Sequence, residues 1–294
     1  MILTPALAVN LRDYNPEKLL GGKEWRITEK IDGVRRLFHK HQNGGVIAYS
    51  RSGIIDNNLP HITEWIERTN FPADRVYDCE LVDKNFYSRR AESYILRTET
   101  ISKANSKNSR EKEDLIAICF DVIQPGGDVM NGERRDLELF QIFYGQPNKA
   151  PVIEIPRFGI LNGNDSETLN MMMKKVKEKN GEGLMLMNMA ARYTSGRSLD
   201  LVKVKRISEF IGTVVDVELA AEGTKIFGGI SALVCNVDGC TTPVRVGTGF
   251  TNEERRYYAK NSPIGKRIEI ESFSRTVDRA GNSSLSIPIF KGEK

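Results

Sequence analysis

Leu115 to Ile123 is a nearly continuous apolar run, interrupted only by Asp121, and no other stretch restricts the fold as much. Such a run reads as a central buried strand, covered on both faces. Pro125-Gly126-Gly127 ends it. Segments able to pair with it lie on either side. Residues 75–83 form one, holding Asp78-Cys79-Glu80-Leu81, and residues 152–158 form another. Residues 35–40 and 45–50 read as two strands joined at Gln42-Asn43-Gly44-Gly45, a hairpin signal. Residues 181–187 enter a strand through two glycines, and 200–206 form one more. Helices are predicted over 16–20, 59–68, 133–144 and 165–180. Ser166 is the expected cap of the last, and Met171-Met172-Met173 are expected to fill core on it. The polar stretch 86–114 is expected to hold one helix and a mobile loop over 105–110.

After Arg206 the texture changes. Short strands over 211–219, 229–237, 243–249 and 267–273 are interrupted by one helix over 252–260, and Val237-Asp238-Gly239-Cys240 is a hairpin turn. This pattern predicts a small OB-type β-barrel. The chain is therefore expected to be α+β, with domains 1–206 and 207–294.

Composition excludes several classes. With 28% charged and 39% apolar residues, the chain is neither disordered nor membrane-spanning, and its net charge of +4 permits a polyanionic partner. Met1 to Val9 lacks the features of a secretion signal, so a cytoplasmic location is expected, in a bacterial or infected host cell. Cys79, Cys119, Cys235 and Cys240 read as buried thiols of a reducing compartment, although Cys235 and Cys240 flank a turn and can pair in principle. Three histidines make a zinc site unexpected.

The chemistry centres on Thr28-Glu29-Lys30-Ile31-Asp32-Gly33-Val34-Arg35-Arg36, set between Trp25 and Ile27 on one side and Leu37 and Phe38 on the other. A lysine in an apolar strand–turn suits an amine that must lose its proton and attack. Its unperturbed pKa is about 10.4, so it needs cations or a metal nearby. Arg35, Arg51, Lys203 and Lys205 are the cations on offer. Lys203 and Lys205 share one strand face while Val202 and Val204 take the other. That pairing fits either an anion such as a triphosphate or a solvated face. Glu80 can accept from a ribose hydroxyl, and Glu182, between two glycines, can hold a divalent cation. Taken alone, each reads first as a strand-end carboxylate at the surface. Phe120 can pack in the core or stack on a base.

Taken in order, Lys30-Ile31-Asp32-Gly33-Val34-Arg35, Ser50-Arg51, Asp78-Cys79-Glu80, Cys119-Phe120-Asp121, Gly181-Glu182-Gly183-Leu184-Met185 and Leu201-Val202-Lys203-Val204-Lys205 resemble the motifs of the covalent nucleotidyltransferase superfamily. Compact ATP-dependent DNA ligases of viruses and phages are the nearest likeness. It extends to Gly196-Arg197-Ser198, to Val246-Gly247-Thr248-Gly249-Phe250 and to Glu253-Glu254-Arg255-Arg256. The resemblance implies an N-terminal adenylyltransferase domain of mostly antiparallel sheets with flanking helices, followed by the OB barrel. It implies sealing of 3′-OH/5′-phosphate nicks in duplex DNA by a monomer through a lysine–AMP. Lys30 would accept AMP from ATP, with Arg35, Lys203 and Lys205 also catalytic. Glu29, Arg51, Glu80, Phe120 and Glu182 would complete the nucleotide site. Glu182 and Glu80 would bind Mg²⁺, for which Mn²⁺ can substitute. Arg35, Arg51, Arg197, Arg255 and Arg256 would face DNA.

Two departures stand out. In the tail 284–294, Ser286 occupies the place of an expected arginine, leaving Lys291 or Lys294 as substitutes without a guanidinium fork. Residues 220–228 are too few for the long hairpin latch of comparable viral enzymes, and no DNA-binding domain precedes Lys30. Binding is then expected to rest on basic faces, including Arg255, Arg256, Lys260, Lys266 and Arg267, and to weaken steeply with salt. The rival readings are an RNA ligase or an RNA-capping guanylyltransferase and, from another class, a non-catalytic OB-fold nucleic-acid-binding protein.

Overall fold

The strands of the first compact unit, Met1–Lys205, form two five-stranded sheets. The computed structural model describes residues 4–89, 93–125, 130–147, 150–278 and 280–294. Gly126 and Gly127, expected to end the apolar strand, lie outside them. Along the chain come β1 (Ala6–Asn10), α1 (Pro16–Leu20), β2 (Glu24–Glu29), β3 (Val34–Lys40), β4 (Val46–Ser50), α2 (Pro60–Arg68), β5 (Arg75–Asp83), α3 (Ser93–Asn105) and α4 (Ser109–Lys112). There follow β6 (Leu115–Ile123), α5 (Gly132–Phe143), β7 (Val152–Glu154), β8 (Arg157–Asn162), α6 (Ser166–Glu178), β9 (Gly183–Asn188) and β10 (Gly196–Lys205). One sheet has the order β1-β10-β9-β2-β8 and the other β4-β3-β5-β6-β7. Among the described residues of this unit, only β1 with β10 and β6 with β7 pair in parallel.

The apolar run is β6, held between β5 and β7, with Ala117, Ile118 and Cys119 fully buried. α2 seals one side of this sheet with Ile62 and Ile66, packed in a cluster with Phe38 and Tyr77. α6 covers the other sheet, where Val176, Met172 and Met173 pack among Trp25, Ile27 and Leu184. Met171 points outward, so only two of the three methionines fill core.

Three local expectations are corrected. Residues 152–158 are not one strand: β7 and β8 belong to different sheets. Pro156 has no N–H for a ladder, so the chain leaves one sheet there and joins the other. The cap of α6 is Asp165, whose carboxylate accepts from the Thr168 N–H at 3.0 Å, and not Ser166. The segment expected as a mobile loop includes the turn α4, capped by the Asn108 side chain. Lys112 at its end is buried with its amine 2.8 Å from Asp56, which also accepts from Arg36. That partner lies 56 residues away, so no local pattern signals it.

The second unit, Arg206–Lys294, contains β11 (Ser208–Leu219), β12 (Ile230–Val237), β13 (Val244–Val246), α7 (Asn252–Lys260), β14 (Arg267–Ser272), β15 (Ser274–Val277), β16 (Ser283–Ser286) and β17 (Ile289–Glu293). The sheet β13-β12-β11-β14-β17 is antiparallel throughout, and a parallel bridge from Thr248 to Ile289 joins its two ends. A five-stranded, nearly closed barrel with a helix after its third strand has the OB arrangement. Its core holds Val214, Leu233, Ile268, Ile270 and Phe290. A capping box of Thr251 and Glu254 opens α7. β15, β16 and β17 lie in serine-rich or glycine-bearing sequence that lacks a strand pattern. All four cysteines are free, including Cys235 and Cys240. No helix among the described residues is long and apolar enough to cross a membrane.

Candidate active site

β2 ends at Glu29 and β3 starts at Val34, so the four residues between them carry the chain from one sheet to the other. Lys30 is fixed there by its N–H, which donates to the Gly183 carbonyl at 2.8 Å. Gly33 allows the turn to pass β5: a Cβ at this position would lie 2.2 Å from the Leu81 carbonyl oxygen. A pocket of about 870 Å³ opens beside the turn and takes its walls from both sheets.

The first sheet supplies the amines. Lys30 Nζ is 2.5 Å from Glu182 Oε2, and Lys205 Nζ is 3.2 Å from Glu182 Oε1. Lys203 lies on the same face of β10, while Val202 is buried among Trp25 and Leu186 on the other. Lys203 has no ion-pair partner among the described residues. Burial, then the charges of Lys205, Lys30 and Arg197, hold its ammonium below the usual lysine range. A cation in that condition is set up for an anionic ligand. Glu29 is buried at the end of β2 and lines the pocket.

The second sheet supplies the opposite wall. Arg35 makes a two-pronged pair with the fully buried Asp78, with Nε to Oδ1 at 2.7 Å, and donates through Nη1 to the Ala6 carbonyl at 2.6 Å. Burial raises the Asp78 carboxyl above the ordinary range although Arg35 opposes this. The Arg35 guanidinium also lies over the Phe120 ring, 5.3 Å from its centroid. Glu80 is two residues from Asp78 and on the same face. Burial pushes its carboxyl up to about 7, with Lys30 and Arg35 pulling the other way.

At the rim, Arg51 is exposed and has no hydrogen-bond or ion-pair partner among the described residues. Arg197 is exposed and donates to the Ala8 carbonyl at 3.1 Å. Arg97 of α3 holds Asp32 through Nε to Oδ1 at 2.6 Å. Burial and the charge of Glu182 raise the Asp32 carboxyl, against Arg97 and Lys30. The expected residues Glu29, Lys30, Arg35, Arg51, Glu80, Phe120, Glu182, Arg197, Lys203 and Lys205 thus all line one pocket.

Sequence reasoning missed Asp78 as the brace of Arg35, the Asp32–Arg97 pair, and Tyr193, whose hydroxyl accepts from the Ala6 N–H at 2.7 Å. The spacing of Asp78 from Glu80 on one strand was the available signal for the first. Nothing local marks the other two.

The donors expected for a metal, Glu182 and Glu80, both line the pocket. Among the described residues no group of three or more His, Cys, Asp or Glu is placed to hold an ion. Glu182 faces two ammonium groups, and burial favours the protonated form of Glu80. These residues suit a cation carried mainly by phosphates and touched by one or two carboxylates, which is how Mg²⁺ commonly binds.

In the second unit Arg255 is corrected. It was expected to face DNA, but its guanidinium donates to the Ile230, Ser231 and Gly247 carbonyls at 2.9, 3.2 and 2.8 Å and lies over Phe250. Those donors close the barrel against α7. Arg256 is exposed, and Lys266 pairs with Glu293. In the tail, the Ser286 carbonyl accepts from the Ser272 hydroxyl, Phe290 stacks on Phe250, and Lys291 pairs with Glu271 at 3.3 Å. Lys291 is thus occupied within the barrel.

A profile of the ATP dependent DNA ligase domain matches residues 5–205. DNA ligase 4 of Coprinopsis cinerea is 28% identical over 266 residues, covering 80% of this chain and 25% of the relative. The DNA ligase of Thermococcus onnurineus is 27% identical over 285 residues, covering 92% and 49%. The chain therefore spans about a quarter to a half of the length of these curated relatives. Among solved structures, a Lig E DNA ligase described as binding DNA with a minimal scaffold superposes with a TM-score of 0.68 at 22% identity, covering 100% of both chains. The bacteriophage T7 ATP-dependent DNA ligase in complex with ATP gives 0.53 at 15% identity, covering 99% and 98%. The protein designated Pmar-Lig_PreS3 gives 0.78 at 23% identity, covering 100% of this chain and 68% of that one.

Proposed function

The chain belongs to the ATP-dependent DNA ligase domain family, and from that membership we propose that it seals nicks in duplex DNA through an adenylated Lys30. The observation that carries this reading is the convergence of Lys30 and Lys205 on Glu182, with Lys203 on the same wall, in a pocket whose opposite wall holds Glu80, Arg35 and Phe120.

ATP enters with its base against Phe120 and its ribose hydroxyls toward Glu80. Lys203 and Lys205 take the α-phosphate. Lys30 gives up a proton, for which Glu182 Oε2 is the acceptor within reach, and its amine attacks phosphorus. A P–N bond forms, the bond to pyrophosphate breaks, and AMP remains on Lys30. The nick's 5′-phosphate then displaces Lys30 from the AMP, and the 3′-hydroxyl displaces AMP to close the strand. The protein contributes positioning and charge neutralisation. Mg²⁺, or Mn²⁺ in its place, neutralises phosphate charge when bound, and Glu182 with Glu80 are the carboxylates that would hold it. The chain acts as a monomer on its DNA.

Labelled ATP and labelled GTP, offered separately with nicked DNA or nicked RNA, test this reading. The expected result is an adenylate on the protein and sealed DNA. A guanylate adduct, or sealing of RNA alone, would sink it.

A pH dependence follows from Glu80. The ribose hydroxyl donates to the ionised carboxylate, so binding favours loss of the Glu80 proton. ATP affinity is expected to rise with pH up to about 7 and then level off. In the free protein the sign is opposite. A carboxyl raised from its unfolded value stabilises the fold while protonated, and this contribution is lost as pH rises toward about 7. Glu80→Gln should flatten both profiles, as titration of ATP binding and thermal melts across this range would register. A Glu80→Gln protein that kept both slopes would remove Glu80 from this role.

A further inference from the structure

We infer that Arg97 is a DNA-binding residue of this site, gripping an internucleotide phosphate that flanks the nick and not one of the reacting phosphates. The inference rests on the ligase reading and adds a residue that lies outside the motifs.

Arg97 projects from α3 to the mouth of the Lys30 pocket. Its Nε is committed to Asp32 Oδ1 at 2.6 Å, which fixes the plane of the guanidinium. No described residue accepts from its two terminal nitrogens, and its side chain is 48% exposed. A guanidinium held by one edge with its fork open is prepared for a phosphate. The arginines deeper in the pocket are spent, Arg26 on Asp136 and the Phe120 carbonyl, Arg35 on Asp78 and Arg36 on Asp56, which leaves Arg97 at the rim with Arg51 and Arg197.

Exposure separates the two classes of phosphate that reach this pocket. The nucleotide is small enough to enter and meet the recessed Glu80, Arg35 and Phe120. A duplex is too wide for a pocket of about 870 Å³ and must stay at the rim, where Arg97 stands. Line of attack narrows the choice further. Asp32 is two residues from Lys30 in the same turn, so Arg97 is anchored on the lysine's side of the pocket. In-line displacement puts pyrophosphate, and later the nick's 5′-phosphate, on the far side from the lysine. The phosphate available to Arg97 is then one in the strand beside the nick.

The test uses the full chain as wild type, Arg97→Gln and Arg97→Lys. Affinity for nicked duplex is measured over a salt series, and the rate of Lys30 adenylation by ATP is measured separately. For Arg97→Gln, affinity is expected to fall about tenfold at moderate salt, and the salt slope to shrink by about 0.9, the value of one phosphate contact. That loss should exceed any loss in adenylation rate by at least about fivefold. Arg97→Lys should restore the slope and most of the affinity. An unchanged slope in Arg97→Gln, or an adenylation rate that falls in step with affinity, would overturn the inference, the latter by moving Arg97 to the nucleotide or to a structural role. If the wild type adenylates and binds nicked DNA, only the inference about Arg97 is at stake. If the wild type does neither, the ligase reading itself fails.

Discussion

Asp78→Ala is expected to destabilise the first unit by roughly 3–5 kcal/mol, the range for removing one partner of a buried ion pair. Asp78 is fully buried and holds Arg35 through both carboxylate oxygens. Without it the guanidinium keeps, among the described residues, only the Ala6 carbonyl as an acceptor, in a wall screened from solvent. For a unit of this size the loss corresponds to a fall in Tm of roughly 10 °C. Activity should fall too. Arg35 links β3, β5 and β1 and lies over Phe120, so its release loosens the wall expected to meet the nucleotide. At a temperature where the variant is still folded, adenylation should drop by about tenfold or more. Asp78→Asn keeps the shape and one hydrogen bond and should be intermediate in both respects. A melting temperature for Asp78→Ala within about 2 °C of wild type would show that the pair does not brace the site.

Lys30→Ala is expected to remove the covalent intermediate altogether, with nick sealing reduced by about 10⁴-fold or more, the scale on which loss of a nucleophile registers. The fold should survive. Among the described residues Lys30 pairs with Glu182 alone, and Glu182 retains Lys205 on its other oxygen, so a stability change of about 1 kcal/mol or less is expected. Lys30→Arg is the sharper variant. It keeps the positive charge facing Glu182, but a guanidinium does not lose its proton in a protein and cannot attack. It should therefore be as inactive as the alanine variant. Sealing by either variant at the wild-type rate would take Lys30 out of the chemistry.

Most strands of the first unit were legible because each carries its own pattern. β6 is almost wholly apolar, β3 and β4 flank a glycine turn, and β10 alternates lysine with valine. The site was legible for a related reason. Its residues sit in or beside strands, and the resemblance supplied their order. What escaped depends on distant partners. Pro156 has Val152, Ile153 and Ile155 before it and Phe158, Ile160 and Leu161 after it, and only the two-sheet arrangement shows that the chain changes sheet there. Lys112 resembles a solvated lysine until Asp56 and Arg36 are brought against it. Arg255 resembles a DNA-facing arginine until three carbonyls of the barrel converge on it. Asp32 and Arg97 are 65 residues apart, and neither segment signals the other. In the last three cases a charged side chain is claimed by a partner that only the fold supplies.

Mapping the site of covalent adenylation on the wild-type chain tests the central claim most directly. The protein is incubated with ATP and Mg²⁺, digested, and its modified peptide identified by mass. The expected result is a single adenylate on the peptide containing Lys30, discharged when nicked DNA is added. An adenylate on a different lysine, or none at all from protein that is folded and binds ATP, would contradict it.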